Sequence, residues 1–202
     1  MPLWRKGCLL PILRDTSKFT HVSRILAKRN NLRFFSGTSY LIGGFTLSLN
    51  DIENGILRSN RSSMATLYMK PFGNADPRMK IILPQVDPRI HFALNCGAKS
   101  CPPIKTFAGD EVQSQLDLAS NAYLENDDAL IVDVSTNTVQ LSKLFQWYEQ
   151  DFGQNKEEVL QWVRDHLAEP SKKKQVEEVL KKGDFTVSYL HYDWGNNSKE
   201  EE

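Results

Sequence analysis

The chain has 202 residues, of which 40% are hydrophobic, 10% aromatic and 25% charged. These proportions are typical of a globular domain and exclude a collagen, a low-complexity disordered chain and a disulfide-stapled miniprotein. The 25 basic residues balance the 25 acidic ones, so we do not expect a general nucleic-acid binder. The longest apolar run covers only residues 8–13, whereas a membrane span needs roughly 20 apolar residues, and we predict no span.

The two ends of the chain are unlike its middle in charge. Residues 1–34 contain eight basic side chains and one acidic one, and residues 200–202 are all glutamate. An Arg-rich, acid-poor start is typical of a mitochondrial transit peptide, and a poorly ordered or short-helical head is the alternative. We therefore predict a basic head at 1–31, a domain at 32–195 and an acidic disordered tail at 196–202.

The chain has three cysteines, Cys8, Cys96 and Cys101, and no recognisable secretory signal. Thiols stay reduced inside cells, so we predict free cysteines and a cytoplasmic location. The basic head leaves a mitochondrial location open.

The first half of the chain predicts a hairpin, a helix and a strand. Gly43 and Gly44 accept the positive φ angles of a tight turn, which favours a hairpin over 40–47. Ser48 is a predicted N-cap for a helix that extends to Leu57. Residues 90–95 alternate between apolar and polar side chains, which predicts a strand with His91 on the face opposite to its buried residues.

The second half predicts four helices and three short strands. Apolar residues at helical spacing indicate a helix over 109–125. Further helices are predicted from a cap at Ser142, over 156–168 and over 171–182; strands are predicted in a hairpin over 129–141 and at 185–192. Helices and strands do not alternate regularly, so we predict one α+β domain with short hairpins and about five helices rather than a doubly wound sheet.

Several segments occur together in an order typical of one family. They are Thr38-Ser-Tyr40, Ile42-Gly-Gly44, Ser48 to Glu53, Gly55-Ile-Leu-Arg58, Asp87 to Ala98, Ser100-Cys-Pro-Pro103, Leu141-Ser142, Trp147-Tyr148 and Tyr192-Asp-Trp194. On these residues the chain resembles the family called domain of unknown function 547, over roughly residues 32–195, and the run from Asp87 to Pro103 is the most specific part. The resemblance implies animal relatives joined to DEP and glutaredoxin domains, and it implies no assigned reaction.

The resemblance also implies an aromatic, Asn-rich helix ahead of the Thr38 segment. Residues 1–31 do not match that helix. We therefore expect the chain to lack it, as a truncated or alternatively started form would.

The chemistry-bearing residues of the most specific run are Cys96, His91 and Asn95. Cys96 follows the predicted strand and enters a glycine loop, from which a thiol can act as a nucleophile. His91 is the candidate base, and Asn95 is a candidate to orient an imidazole. The alternative is a buried structural cysteine, since free cysteine is among the most buried residue types.

Cys96 and Cys101 stand in a Cys-x4-Cys arrangement. This spacing fits half of a zinc site, but no second local half is present, so we predict no metal and no cofactor. The leading hypothesis is an intracellular protein-interaction or regulatory module with a protein partner. The alternatives are a cysteine-dependent hydrolase or transferase that uses Cys96, and a redox role for the Cys96/Cys101 pair.

Overall fold

A computed structural model of the chain describes residues 35–62 and 69–195. The predicted basic head at 1–31 and the predicted acidic tail at 196–202 lie outside the described residues. The described elements are, in chain order, β1 (Ser39–Ile42), β2 (Phe45–Ser48), a π-helix (Asp51–Leu57), two 3₁₀ helices (Pro77–Ile81 and Pro88–Phe92), α1 (Val112–Leu124), β3 (Leu130–Asp133), β4 (Thr138–Leu141), α2 (Lys143–Trp147), α3 (Glu149–Phe152), α4 (Lys156–Asp165), α5 (Pro170–Lys182) and β5 (Thr186–Tyr189).

The first hairpin is confirmed. Strands β1 and β2 pair antiparallel, with Tyr40 opposite Leu47, and the two turn glycines have φ angles of +56° and +83°. These angles are those of a type I′ turn, whose twist matches that of the strands it joins.

The predicted helix after β2 exists, but it is wider than an α-helix. Ser48 and Asp51 cap its start reciprocally, because each side chain accepts a hydrogen bond from the backbone N–H of the other. The backbone N–H of Arg58 then donates to the carbonyl of Glu53, and that of Asn60 to the carbonyl of Gly55, which is π-helical spacing.

The predicted strand at 90–95 is wrong, since Pro88–Phe92 forms a 3₁₀ helix. Asp87 caps this helix by accepting a hydrogen bond from the N–H of Arg89, and Pro88 supplies a φ angle suited to the first helical position. A helical turn buries neighbouring residues on the same element, so His91 is buried together with Ile90 and Phe92.

The α+β architecture is confirmed, with two small sheets. Strands β3 and β4 form the second predicted hairpin, and β5 joins β4 in parallel to give the order β3-β4-β5. The five α-helices after residue 111 correspond to the predicted 109–125, Ser142, 156–168 and 171–182 segments, the second of which is divided into α2 and α3. None of the helices in the described ranges is long and apolar enough to cross a membrane.

Two hydrophobic clusters meet at the second 3₁₀ helix. Ile90 packs in the smaller cluster, with Leu47 and Phe72, whereas Phe92 packs in the larger one, which contains the helices after residue 111. His91 lies between these two residues in the chain, and Cys96 follows shortly after. This segment therefore delivers its polar side chains to the junction of the two clusters.

Candidate functional site

Two groups of polar side chains surround the 87–103 segment. We call Cys96, Cys101 and Tyr192 the sulfur cluster, and Arg58, Arg61, His91 and Asp151 the Asp151 network. The first is partly buried and holds the two thiols, while the second is centred on a fully buried carboxylate.

The two thiols of the sulfur cluster touch. Cys96 Sγ lies 2.9 Å from Cys101 Sγ, and both cysteines are free and partly buried. Tyr192 Oη lies 3.2 Å from Cys101 Sγ and 3.8 Å from Cys96 Sγ. The backbone N–H of Cys96 also donates to Cys101 Sγ, at 3.2 Å. The sulfur of Cys101 thus contacts the Cys96 thiol, the Tyr192 hydroxyl and one backbone N–H donor.

The loop between the cysteines is held in a fixed turn. Gly97 has φ +89°, a left-handed conformation that favours glycine. Asn95 spans the loop, because its Oδ1 accepts from the N–H of Gly97 at 2.7 Å and its Nδ2 donates to the carbonyl of Pro102 at 2.6 Å. The N–H of Cys101 donates back to the carbonyl of Ala98. These hydrogen bonds bring the two sulfurs to the same side of the loop.

The C-terminal segment of the described chain covers this loop. The N–H of Lys99 donates to the carbonyl of Gly195, and the N–H of Asp193 donates to Ser100 Oγ. Tyr192 is only 4% exposed, and its ring packs against Trp147 and Trp194, with centroids 4.8 Å from each. The aromatic packing fixes where the hydroxyl of Tyr192 points.

The thiols differ in their acidity. The hydrogen bond from Cys96 lowers the pKa of Cys101 to about 6, helped by Tyr192 and backbone N–H groups and opposed by burial. The same hydrogen bond, together with burial, raises the pKa of Cys96. Burial and the nearby Cys101 charge raise the pKa of Tyr192, which keeps its hydroxyl protonated. The sulfur cluster therefore favours a thiolate on Cys101 and a thiol on Cys96.

Asp151 is the centre of the second group. Its carboxylate accepts from Arg58 Nε at 2.5 Å, from Arg61 Nη1 at 2.8 Å and from His91 Nε2 at 2.9 Å. The side chains of Asp151 and His91 are 0% and 1% exposed. The ring of His91 stacks on that of Tyr148 at 3.9 Å. Because a carboxylate only accepts, His91 carries its proton on Nε2.

Burial and charge act in opposite directions in this network. Burial raises the pKa of Asp151, but the hydrogen bonds from His91 and Arg58 outweigh it, and the net pKa is lowered. Burial lowers the pKa of His91 more than Asp151 raises it. The network thus contains an ionised Asp151 and a neutral His91, an arrangement that ties the π-helix to α3.

The sequence-predicted residues are divided between the two groups. Cys96 and Asn95 lie at the sulfur cluster, whereas the hydrogen bond of the His91 ring goes to Asp151. Within residues 35–62 and 69–195, no hydrogen bond joins Cys96 to His91. In the same ranges, no group of three or more His, Cys, Asp and Glu side chains is arranged to hold a metal ion.

A comparison with protein-family models shows which family the chain belongs to. Residues 14–124 match the model of the family described as "Protein of unknown function, DUF547". The chain belongs to this family. No curated protein and no solved structure matches the chain.

The DUF547 match covers part of each polar group. It includes Arg58, His91, Cys96 and Cys101, and it ends at the last residue of α1, before Asp151. It begins within the predicted basic head, ahead of the residue 32 boundary expected from the resemblance. The predicted lack of an upstream aromatic helix concerns residues outside the described ranges and stays a prediction.

The structure adds Tyr192 and Asp151 to the candidate residues. Tyr192 belongs to the Tyr192-Asp-Trp194 motif that carries the resemblance, so the sequence held a signal for it. Asp151 follows an aromatic helix as an ordinary acidic residue, and the chain pattern gives no signal that Arg58 reaches it from 93 residues away.

Proposed function

We propose that Cys96 and Cys101 form a dithiol–disulfide pair that exchanges electrons with disulfide substrates. The observation that supports this function best is the 2.9 Å contact between the two sulfurs on one rigid loop. When one of two thiols held this close forms a mixed disulfide, the other can displace the bound thiol within the same molecule. The intramolecular disulfide is therefore favoured over two separate mixed disulfides. The resemblance to relatives joined to glutaredoxin domains points in the same direction.

The reaction balances with a disulfide as the oxidant. The two protein thiols and one molecule R–S–S–R give one protein disulfide and two molecules R–SH. The protein loses two electrons and two protons, and both pass to the substrate sulfurs. The reverse reaction reduces the protein pair by the same exchange.

The other hypotheses from the sequence stay predictions. A hydrolase or transferase would use Cys96 with His91 as base and Asn95 as the orienting group, and it would work without Cys101. In a regulatory module with a protein partner, oxidation of the dithiol would change how the module binds that partner, so binding would depend on the redox state of the cell. We propose a cytoplasmic location for either role, because a reversible dithiol needs a reducing environment.

A redox titration tests the proposed function. The Cys8→Ser chain contains only the two thiols of the sulfur cluster, so its mass after maleimide labelling counts them directly. In buffers of varying glutathione to glutathione disulfide ratio, we expect both thiols to be lost together with one midpoint and without a glutathione adduct.

The single-cysteine variants Cys96→Ser and Cys101→Ser, in the same background, are the matched controls. Each has one thiol and is expected to form only a mixed disulfide with glutathione. The proposal is contradicted if the Cys8→Ser chain collects glutathione adducts at equilibrium, or if both thiols stay reduced in pure glutathione disulfide.

A further inference from the structure

We infer that Cys101 is the attacking sulfur of the pair, that Cys96 is the resolving sulfur and that Tyr192 is the residue that positions Cys101. This inference rests on the proposed dithiol function and assigns a role to each member of the sulfur cluster. It differs from the sequence hypothesis, in which Cys96 is the nucleophile.

The two sulfurs have different surroundings although they touch. The backbone N–H of Cys96 points at Cys101 Sγ at 3.2 Å, and the hydroxyl of Tyr192 is 0.6 Å closer to Cys101 Sγ than to Cys96 Sγ, at 3.2 Å against 3.8 Å. The thiol of Cys96 lies 2.9 Å away and donates to Cys101 Sγ once that sulfur carries the charge. Donors stabilise a thiolate, so negative charge settles on Cys101. The lowered pKa of Cys101 and the raised pKa of Cys96 agree with this geometry.

Tyr192 is suited to a positioning role because its own surroundings hold it still. Its ring packs against both Trp147 and Trp194, which also contact each other, and the residue is almost fully buried. The hydroxyl therefore points at the sulfurs before any substrate arrives. Its hydroxyl contacts the sulfur of Cys101, and we assign it a role through that sulfur.

The roles give a balanced sequence of steps. The thiolate of Cys101 attacks one sulfur of R–S–S–R, which forms a mixed disulfide and releases one thiolate. Cys96 Sγ, in contact with Cys101 Sγ, then attacks the Cys101 sulfur of the mixed disulfide and releases the second thiolate. The thiol proton of Cys96 and one proton from solvent complete the two R–SH products.

Competitive alkylation tests the order of attack without changing either cysteine. The Cys8→Ser chain is treated at pH 7 with less than one equivalent of iodoacetamide, unfolded, fully labelled with a heavier reagent and digested with trypsin. Cleavage after Lys99 separates Cys96, in peptide 90–99, from Cys101, in peptide 100–105. We expect Cys101 to be alkylated at least about tenfold faster than Cys96. Faster labelling of Cys96, or equal labelling, would overturn the assignment.

The pH profile of alkylation tests the role of Tyr192. Tyr192→Phe keeps the ring and removes the hydroxyl donor, so we expect the midpoint of Cys101 labelling to rise by about one pH unit. The rate of Cys101 labelling above pH 10 should stay within about twofold of the parent, since Cys101 is then fully ionised in both chains. A purely structural role would change the rate at all pH values and leave the midpoint in place.

Two further variants sharpen this result. Tyr189→Phe is the matched control, because the hydroxyl of Tyr189 contacts Lys156 and not a sulfur, and its profile should equal that of the parent. Cys96→Ser keeps a hydroxyl donor beside Cys101, whereas Cys96→Ala does not, so the midpoint should be higher in Cys96→Ala. Equal midpoints for Tyr192→Phe and the parent would remove Tyr192 from the proposal.

The outcomes separate the two proposals. If the redox titration gives no intramolecular disulfide, the dithiol function fails whichever sulfur is more reactive. If the disulfide forms but Cys96 is alkylated first, the function stands and the assignment of roles is wrong.

Discussion

The Asp151 network and the sulfur cluster start from residues of one short segment, His91 and Cys96, and use polar groups in opposite ways. In the network, a buried carboxylate accepts from four donors on three side chains, and the side chains of Asp151, Arg58 and His91 are at most 4% exposed. In the sulfur cluster, the thiols are partly exposed and donors converge on one atom that can change its charge. The difference teaches that polar residues close together in sequence can be directed into separate groups by the fold. The hydrogen bond of the His91 ring goes to Asp151, whereas Cys96 contacts Cys101.

Among the variants that test this comparison, removal of the Asp151 charge should have the largest effect on stability. Asp151→Asn leaves the Arg58 guanidinium buried beside a neutral amide, and we expect a loss of about 3–5 kcal/mol in the free energy of unfolding. Urea unfolding followed by circular dichroism measures it. The matched control is Asp165→Asn, since Asp165 forms a surface ion pair with Arg164 and is 58% exposed. A loss below about 1 kcal/mol for Asp151→Asn would show that the network does not hold the fold.

A methyl group on the π-helix should have the next largest effect. A Cβ atom added to Gly55 would lie 2.4 Å from Cζ of Phe72, and the helix that carries Arg58 would have to move. We expect Gly55→Ala to destabilise the protein by about 1–3 kcal/mol in the same unfolding measurement. Gly73→Ala is the control, because a Cβ there meets nothing within 4 Å. Equal stability of the two variants would contradict the close packing described at Gly55.

The pH dependence of stability tests whether His91 is neutral in the folded state. Its pKa is lower in the folded chain than the ordinary value of about 6.5, so the unfolded chain binds more protons below that pH. The contribution of His91 to stability should therefore fall as the pH decreases from 7 to 5, by at most about 1.4 kcal/mol per pH unit. Asp151, whose pKa is lowered, loses its own contribution only below about pH 4.

The control for this prediction is His91→Gln, which keeps an N–H donor toward Asp151 and does not titrate. Cys101, whose pKa is lowered to about 6, contributes the same pH dependence to both chains, so the difference in stability between the parent and His91→Gln isolates the contribution of His91. That difference should shift against the parent as the pH falls from 7 to 5. If the parent chain instead becomes more stable relative to His91→Gln as the pH falls through this range, His91 binds a proton beside Asp151 and the assignment of a neutral ring is wrong.

The smallest effect is expected at the loop that holds the thiols. Asn95→Ala removes the hydrogen bonds to Gly97 and Pro102, and we expect a loss of about 1 kcal/mol in unfolding free energy. Alkylation of Cys101 at pH 7 should become slower, because the loosened loop no longer holds the donors that stabilise its thiolate. Asn95→Asp keeps the acceptor for the N–H of Gly97, so its stability and alkylation rate should lie between those of the parent and of Asn95→Ala. An unchanged alkylation rate in Asn95→Ala would remove Asn95 from the site.

Local features of the fold could be predicted from the sequence, and long-range ones could not. The Gly43-Gly44 turn and the Ser48 cap depend on neighbouring residues, so their structures follow from short patterns. The alternation at 90–95 predicted a strand, but Asp87 caps a helical turn there and Pro88 fixes the φ angle of its first residue. These two local effects outweigh a short alternating pattern.

The same distinction applies to the candidate site. The Cys96/Cys101 contact spans five residues and was one of the hypotheses open from the spacing. The Tyr192 contact with Cys101 spans 91 residues and the Arg58 contact with Asp151 spans 93, and both are created only when the chain folds. The partner of His91 depended on the second of these contacts, which is why the sequence alone paired His91 with Cys96.

Peptide mapping of the oxidised protein is the most direct test of the dithiol. The Cys8→Ser chain is oxidised with glutathione disulfide, its remaining thiols are blocked, and it is digested with trypsin without reduction. We predict that peptides 90–99 and 100–105 are recovered joined by one disulfide, and that reduction separates them. Recovery of the two peptides as separate blocked or glutathione-bearing species would contradict the account.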